Sequence, residues 1–187
     1  MDRFINLNME LMKSVDVRKH TIRNITLSAM LLAVLIVQEE LLIFLPNIQF
    51  TVVLLMVYAA ILPYSMLISL TVGYVIIDSL IMGSFNMLYV VPMLIGWILL
   101  VLVSKKLQHQ KIWILIMVSF IFGFVYGWLF IPSKFLEIGI DRLWPYFISD
   151  LPFEIMMAIS NIVTVILLYV PLKKLLLSLM NQSSSEL

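Results

Sequence analysis

Apolar residues dominate the chain in six blocks, and the breaks between them fall at proline, glycine and lysine. Residues 22–45 form the first block, which stops at Leu45-Pro46-Asn47. The second, 49–62, is short and ends at Pro63, and the third, 64–82, stops at Gly83-Ser84. The fourth runs over 87–103 until Lys105-Lys106, and the fifth over 112–130 until Pro132-Ser133. The sixth covers 146–170 and ends at Pro171, with Lys173-Lys174 behind it. Proline removes a backbone donor and glycine frees the backbone, so these residues read as helix ends. A spanning helix takes about 20 apolar residues. The pattern therefore predicts an all-α integral membrane protein, a compact bundle of six transmembrane helices. The second block admits a tilted or incomplete span, because hydropathy gives length and not orientation.

The first 20 residues scatter charges among single apolar positions and hold no unbroken apolar core, so a cleavable signal peptide is not expected. Phe4, Ile5, Leu7, Leu11, Met12 and Val15 recur at roughly helical spacing. That spacing suits a short amphipathic helix on the membrane, and a flexible tail is the alternative. The division is then an N-terminal segment over 1–20, a membrane domain over 21–175 and a polar tail over 176–187. Residues 181–187 have the composition of a disordered segment.

Composition sharpens the class. Of 187 residues, 63% are hydrophobic and 12% charged, and the mean hydropathy is +1.09. A soluble domain is roughly half apolar and a quarter charged, so this chain lacks the polar residues to cover a water-facing surface. The net charge of +1 gives no reason to expect a nucleic-acid partner, and with no cysteine there are no disulfides, thiolates or Cys-based metal sites.

Cations fix the orientation. Arg3, Lys13, Arg18, Lys19 and Arg23 precede the first block, Lys105, Lys106 and Lys111 separate the fourth from the fifth, and Lys173 and Lys174 follow the sixth. With six spans these share one side, and only Lys134 and Arg142 fall on the other. The positive-inside rule puts both termini in the cytoplasm, with the chain in the plasma membrane.

Acidic residues carry more information, because five lie within or at the ends of apolar blocks: Glu39, Glu40, Asp78, Asp150 and Glu154. Ionisable groups at membrane depth are costly and face a bundle interior or a water-filled cavity. Asp150 and Glu154 are four apart and share a helical face. Gln38, Asn47, Gln49, Asn86, Tyr89 and Tyr126 also fall toward the outer ends of their blocks. Polar side chains thus converge on the outer half, which reads as an outward-opening pocket closed below. Headgroup contact is the competing reading for acids near a block's end, Asp150 above all. Residues 132–145 form the longest external connection and read as a lid or binding loop, or as an interfacial amphipathic helix with Trp144 and Tyr146 in the aromatic belt.

Enzyme chemistry is hard to assemble from these residues. Histidine occurs only at His20 and His109, both outside the blocks, whereas a rhomboid-like or metal-dependent intramembrane protease needs one at membrane depth. Glu39-Glu40 resembles the start of the EExxxR signature of prenyl-protein-processing proteases, but no arginine completes it and Phe44 stands in its place. No GxxxxGK[ST] phosphate loop is present. A binder, carrier or scaffold is the expectation, with no cofactor.

Two small-residue pairs stand one turn apart, Ala29 with Ala33 and Gly123 with Gly127. Small-xxx-small patches let another helix approach closely in lipid. The glycine pair reads as packing inside the bundle. The alanine pair lies at the cytoplasmic end of the first block, where a partner protein can dock.

The six short blocks, the basic N-terminus and this AxxxA pattern resemble the substrate-binding S component of energy-coupling factor (ECF) vitamin transporters. Pro46-Asn47-Ile48-Gln49 leading into Phe50-Thr51-Val52-Val53-Leu54-Leu55 is similar to the loop and second helix of such proteins. So are Asp78-Ser79-Leu80-Ile81-Met82-Gly83-Ser84-Phe85-Asn86 and Pro92-Met93-Leu94-Ile95-Gly96-Trp97. The likeness covers roughly residues 18–175 in layout. It implies that the chain captures a water-soluble vitamin from outside a bacterial plasma membrane, with a membrane-embedded T component and two cytoplasmic ATPase subunits as partners. Ala29 and Ala33 would meet the T component, and the loaded subunit would topple in the lipid to deliver its ligand. Glu40, Asn47, Gln49, Asp78, Asn86, Tyr89 and Glu154 are the expected binding residues. Likeness to this branch suggests cobalamin, with cationic or neutral vitamins and a queuosine precursor left open. A membrane scaffold resembling the small cell-shape protein of the MreD type is the competing reading.

Overall fold

The computed structural model describes the backbone of residues 2–45, 48–83 and 85–185, and the side chains of 21–45, 48–83 and 85–182. Seven helices account for the described secondary structure: α1 (Asp2–Leu41), α2 (Thr51–Ile61), α3 (Tyr64–Ile81), α4 (Met87–Lys106), α5 (Ile112–Trp128), α6 (Ile131–Ile138) and α7 (Ile140–Ser185). Among the described residues, five stretches are long and apolar enough to cross a membrane: Thr21–Leu41, Tyr64–Ile81, Met87–Lys106, Ile112–Ile138 and Ile140–Gln182.

The expected second span is the exception. With 11 residues, α2 is about 16 Å long at 1.5 Å per residue, well short of a hydrocarbon core of about 30 Å. Its sequence, TVVLLMVYAAI, is apolar on every side, and Thr51 through Ala59 are all buried. A helix apolar all round belongs in a core, and α2 sits at the centre, touching α1, α3, α4 and α7. Hydropathy cannot separate such a helix from a lipid-facing one. Both ends of α2 are tied to its neighbours. Gln38 Oε1 accepts from Phe50 N at 2.9 Å and Gln38 Nε2 donates to Thr51 Oγ1 at 2.6 Å. At the other end Lys105 Nζ donates to Leu62 O at 2.7 Å, satisfying a carbonyl that the helix leaves free.

Several expected helix ends are continuous helix. Residues 2–20 form the start of α1 rather than a separate element. The segment over 132–145 is no open loop: Pro132 lies in the first turn of α6, and Pro145 lies inside α7. Only Gly139 interrupts it, at φ 76°, a conformation that glycine adopts without steric cost. Pro171 does not end α7, and the tail expected to be disordered is helical through Ser185. A proline fits the first turn of a helix. Inside a membrane helix it is tolerated where neighbours re-satisfy the freed backbone groups.

α5 and α7 make the most extensive helix–helix contact, and their crossing falls on the glycine pair as expected. A Cβ on Gly123 would lie 2.6 Å from Ala158 Cα and 2.7 Å from its N, so the two backbones touch there. Around the bundle Ile76, Ile95, Leu99, Leu102, Ile121, Ile159, Ile166 and Leu167 are exposed, giving an apolar perimeter far beyond the patch a water-soluble monomer carries. The bundle's two ends differ. Arg23 and Leu62 border one cavity with the last part of α7, so Arg23, Lys105 and the α7 lysines share a basic end.

Candidate functional site

At the opposite end the helices splay around a cavity of about 580 Å³. It is bordered by the end of α1, the chain leading into α2, the end of α3, the start of α4, the end of α5 and the early part of α7. Five of the expected binding residues line it: Glu40, Gln49, Asp78, Tyr89 and Glu154. Asn86 is not among the lining residues. Its side chain instead caps α4, Oδ1 accepting from Leu88 N at 3.0 Å, the usual role of asparagine at a helix start. Asn47 lies outside the described residues. Ala29 and Ala33 are remote from the cavity and exposed on α1.

Glu39 and Asp150 complete the set of carboxylates in the wall, beside Glu40, Asp78 and Glu154. The four-residue spacing of Asp150 and Glu154 correctly puts both on the face toward the cavity. Glu39 could not be assigned this way, because its partner is on another helix: the buried Tyr74 hydroxyl donates to Glu39 Oε2. Trp128 Nε1 donates to Glu154 Oε2 at 3.1 Å, and Tyr146 OH donates to Asp150 Oδ2 at 3.1 Å. Each of these three carboxylates is thus held by a neutral donor. Asp78 is only 2% exposed, and its Oδ2 is buried without a hydrogen-bond partner. Gly127 makes room for Glu154, since a Cβ there would lie 2.5 Å from Glu154 Oε1.

Aromatic rings surround the same space. Tyr89, Tyr126, Phe130, Tyr146 and Phe153 line it. Below them Trp97, 1% exposed, meets Tyr126 at 4.9 Å between ring centroids, Phe122 at 5.4 Å and Tyr74 at 5.8 Å. This column closes the cavity toward the bundle centre. At the mouth α6 contributes Lys134 and Glu137, paired at 2.8 Å. Lys134 Nζ also donates to Tyr89 OH at 2.8 Å, and Tyr89 OH donates to Glu137 Oε2 at 2.7 Å. The same ammonium lies 4.9 Å from the Tyr89 ring centroid and 5.6 Å from that of Tyr146, close enough for cation–π attraction. The expected lid is therefore a short helix fastened to α4 by this triad.

No three acidic or histidine side chains among the described residues come close enough to hold one metal ion. The five carboxylates of the wall come from α1, α3 and α7, and their oxygens are hydrogen-bond acceptors.

A second cavity, about 770 Å³ and mostly apolar, opens at the basic end between α1, α2 and the end of α7. It is lined by Leu27, Met30, Tyr58, Leu62, Leu172 and Leu176 among others. Comparison with protein-family profiles, curated proteins and solved structures gives no match for this chain.

Proposed function

We propose that the chain is an integral membrane subunit that captures a water-soluble vitamin or related micronutrient, as an S component does in an ECF-type transporter. The observation that carries this reading is the cavity of about 580 Å³ at the end opposite the basic residues. Its size suits a small organic ligand, and a few polar groups in a mainly apolar, aromatic wall are the usual means of selectivity. By the positive-inside rule that end faces outward and both termini face the cytoplasm. Ligand enters from outside, and the aromatic column around Trp97 bars its way onward through the bundle.

A subunit of this kind needs a partner for release and energy. Ala29 and Ala33 are exposed on α1, a surface with small side chains that a T-component helix can approach closely. The apolar perimeter lets the loaded subunit tilt in lipid, and two cytoplasmic ATPases drive the cycle. A scaffold of the MreD type can use the same α1 face but has no use for the cavity.

Equilibrium binding of labelled vitamins, cobalamin included, to the purified full chain in lipid nanodiscs tests the proposal. A single saturable ligand is the expected result. A folded sample that binds none of them while co-purifying with cell-shape proteins supports the scaffold.

A further inference from the structure

Glu39, Glu40, Asp78, Asp150 and Glu154 line the cavity at the end opposite the basic residues, and the lining contains no lysine, arginine or histidine. Lys134 stands at the mouth, beside Tyr89 and Tyr146 of the lining, and that ammonium is already paired with Glu137. Neutral donors serve Glu39, Asp150 and Glu154: a tyrosine hydroxyl, a second tyrosine hydroxyl and an indole N–H. A buried carboxylate oxygen without a donor is costly, and Asp78 Oδ2 is in that position.

We infer that the ligand is a compact organic cation that donates N–H groups to Asp78 and its neighbouring carboxylates while its apolar part rests on the tyrosine and phenylalanine rings. This rests on the capture reading proposed above and gives it a substrate class. Three features converge on that class. Carboxylates accept hydrogen bonds and donate none, so the complementary ligand supplies donors. Aromatic rings attract a cation at their faces, and Tyr89, Tyr126, Phe130, Tyr146 and Phe153 share the wall with the acids. The carboxylates come from three helices, α1, α3 and α7, and no three of the described ones are placed to hold one metal ion, which suits a ligand with several donors better than a single metal ion. A volume of about 580 Å³ is that of a site for one small molecule.

Titration of the purified full chain, followed by tryptophan fluorescence, tests the inference. The probes are a cationic set (thiamine, pyridoxamine, spermidine) and a neutral or anionic set (riboflavin, biotin, pantothenate, cobalamin). Saturable binding from the cationic set is expected, weakened at least tenfold by Asp78→Asn and several-fold by Glu40→Gln. Glu40 is exposed, so its variant decides the matter if Asp78→Asn fails to fold. Tight binding of a neutral or anionic vitamin alone overturns the inference and leaves capture standing. Cation binding that neither folded variant weakens overturns the assignment to this cavity. Binding from neither set by a chain that still unfolds cooperatively overturns the capture reading and the inference with it.

Discussion

The same substitution made one helical turn apart on α5 should produce two different defects. Gly123→Ala brings a methyl group to 2.6 Å from Ala158 Cα and 2.7 Å from Ala158 N. Those are backbone atoms of α7 and cannot turn aside, so the helices must separate along their main contact. Overpacking of this kind costs about 1–3 kcal/mol, of which the better helix propensity of alanine returns at most about 1 kcal/mol. A net loss of up to about 3 kcal/mol follows, a sizeable part of the roughly 5–15 kcal/mol typical of a folded domain. Gly127→Ala meets Glu154 Oε1 at 2.5 Å and its Cγ and Cδ at 3.1 Å, all of them atoms of a flexible side chain. Glu154 can swing away, so stability should hold. The Glu154 bond to Trp128 Nε1 is then lost and the carboxylate is displaced in the cavity. Thermal unfolding in one detergent, with ligand binding measured beside it, separates the two effects. Gly123→Ala should lower the unfolding temperature by several degrees, whereas Gly127→Ala should keep it and lose affinity. Equal stability of both variants would refute the α5–α7 crossing described above.

Other perturbations address other parts of the molecule. Gln38→Leu leaves Phe50 N and Thr51 Oγ1 without their partners at the start of α2. It should cost about 1–3 kcal/mol in unfolding measurements. Ala29→Leu combined with Ala33→Leu puts bulk on an exposed face of α1. On the proposed S-component function, co-purification with ATPase subunits should fall to background, while ligand binding by the isolated chain stays unchanged. Lys134→Met removes the ammonium from Glu137 and from the Tyr89 hydroxyl. Faster amide exchange in α6 than in the parent protein is the expected readout, because the Lys134–Tyr89–Glu137 triad ties that helix to α4.

Much of the helix layout could be read from the sequence, because its signals are local. Lysines 105 and 106 do close α4, and the four-residue spacing of Asp150 and Glu154 places both in one wall. The glycine pair on α5 was legible for the same reason: it sits on one face, and close approach needs no other side chain. What depends on a second helix was not legible. The central burial of α2 is a property of the neighbours around it. The Tyr74 bond to Glu39 joins positions 35 residues apart in the chain. Proline misled in both directions, since Pro132 begins a helix and Pro145 and Pro171 lie within one. The signal for an interior proline lies in the groups that neighbouring helices supply, which periodicity along one chain does not contain.

The chain's lack of cysteine permits a direct measurement of the central claim, that the acidic cavity opens to the outside of a membrane. Gln49, in the cavity wall, and Lys111, exposed between α4 and α5, can each be replaced by cysteine and treated in intact cells with a membrane-impermeant maleimide. Outward opening predicts that the Gln49→Cys variant reacts in intact cells, and the Lys111→Cys variant only after the membrane is permeabilised. The opposite pattern, or labelling of both variants in intact cells, would contradict it.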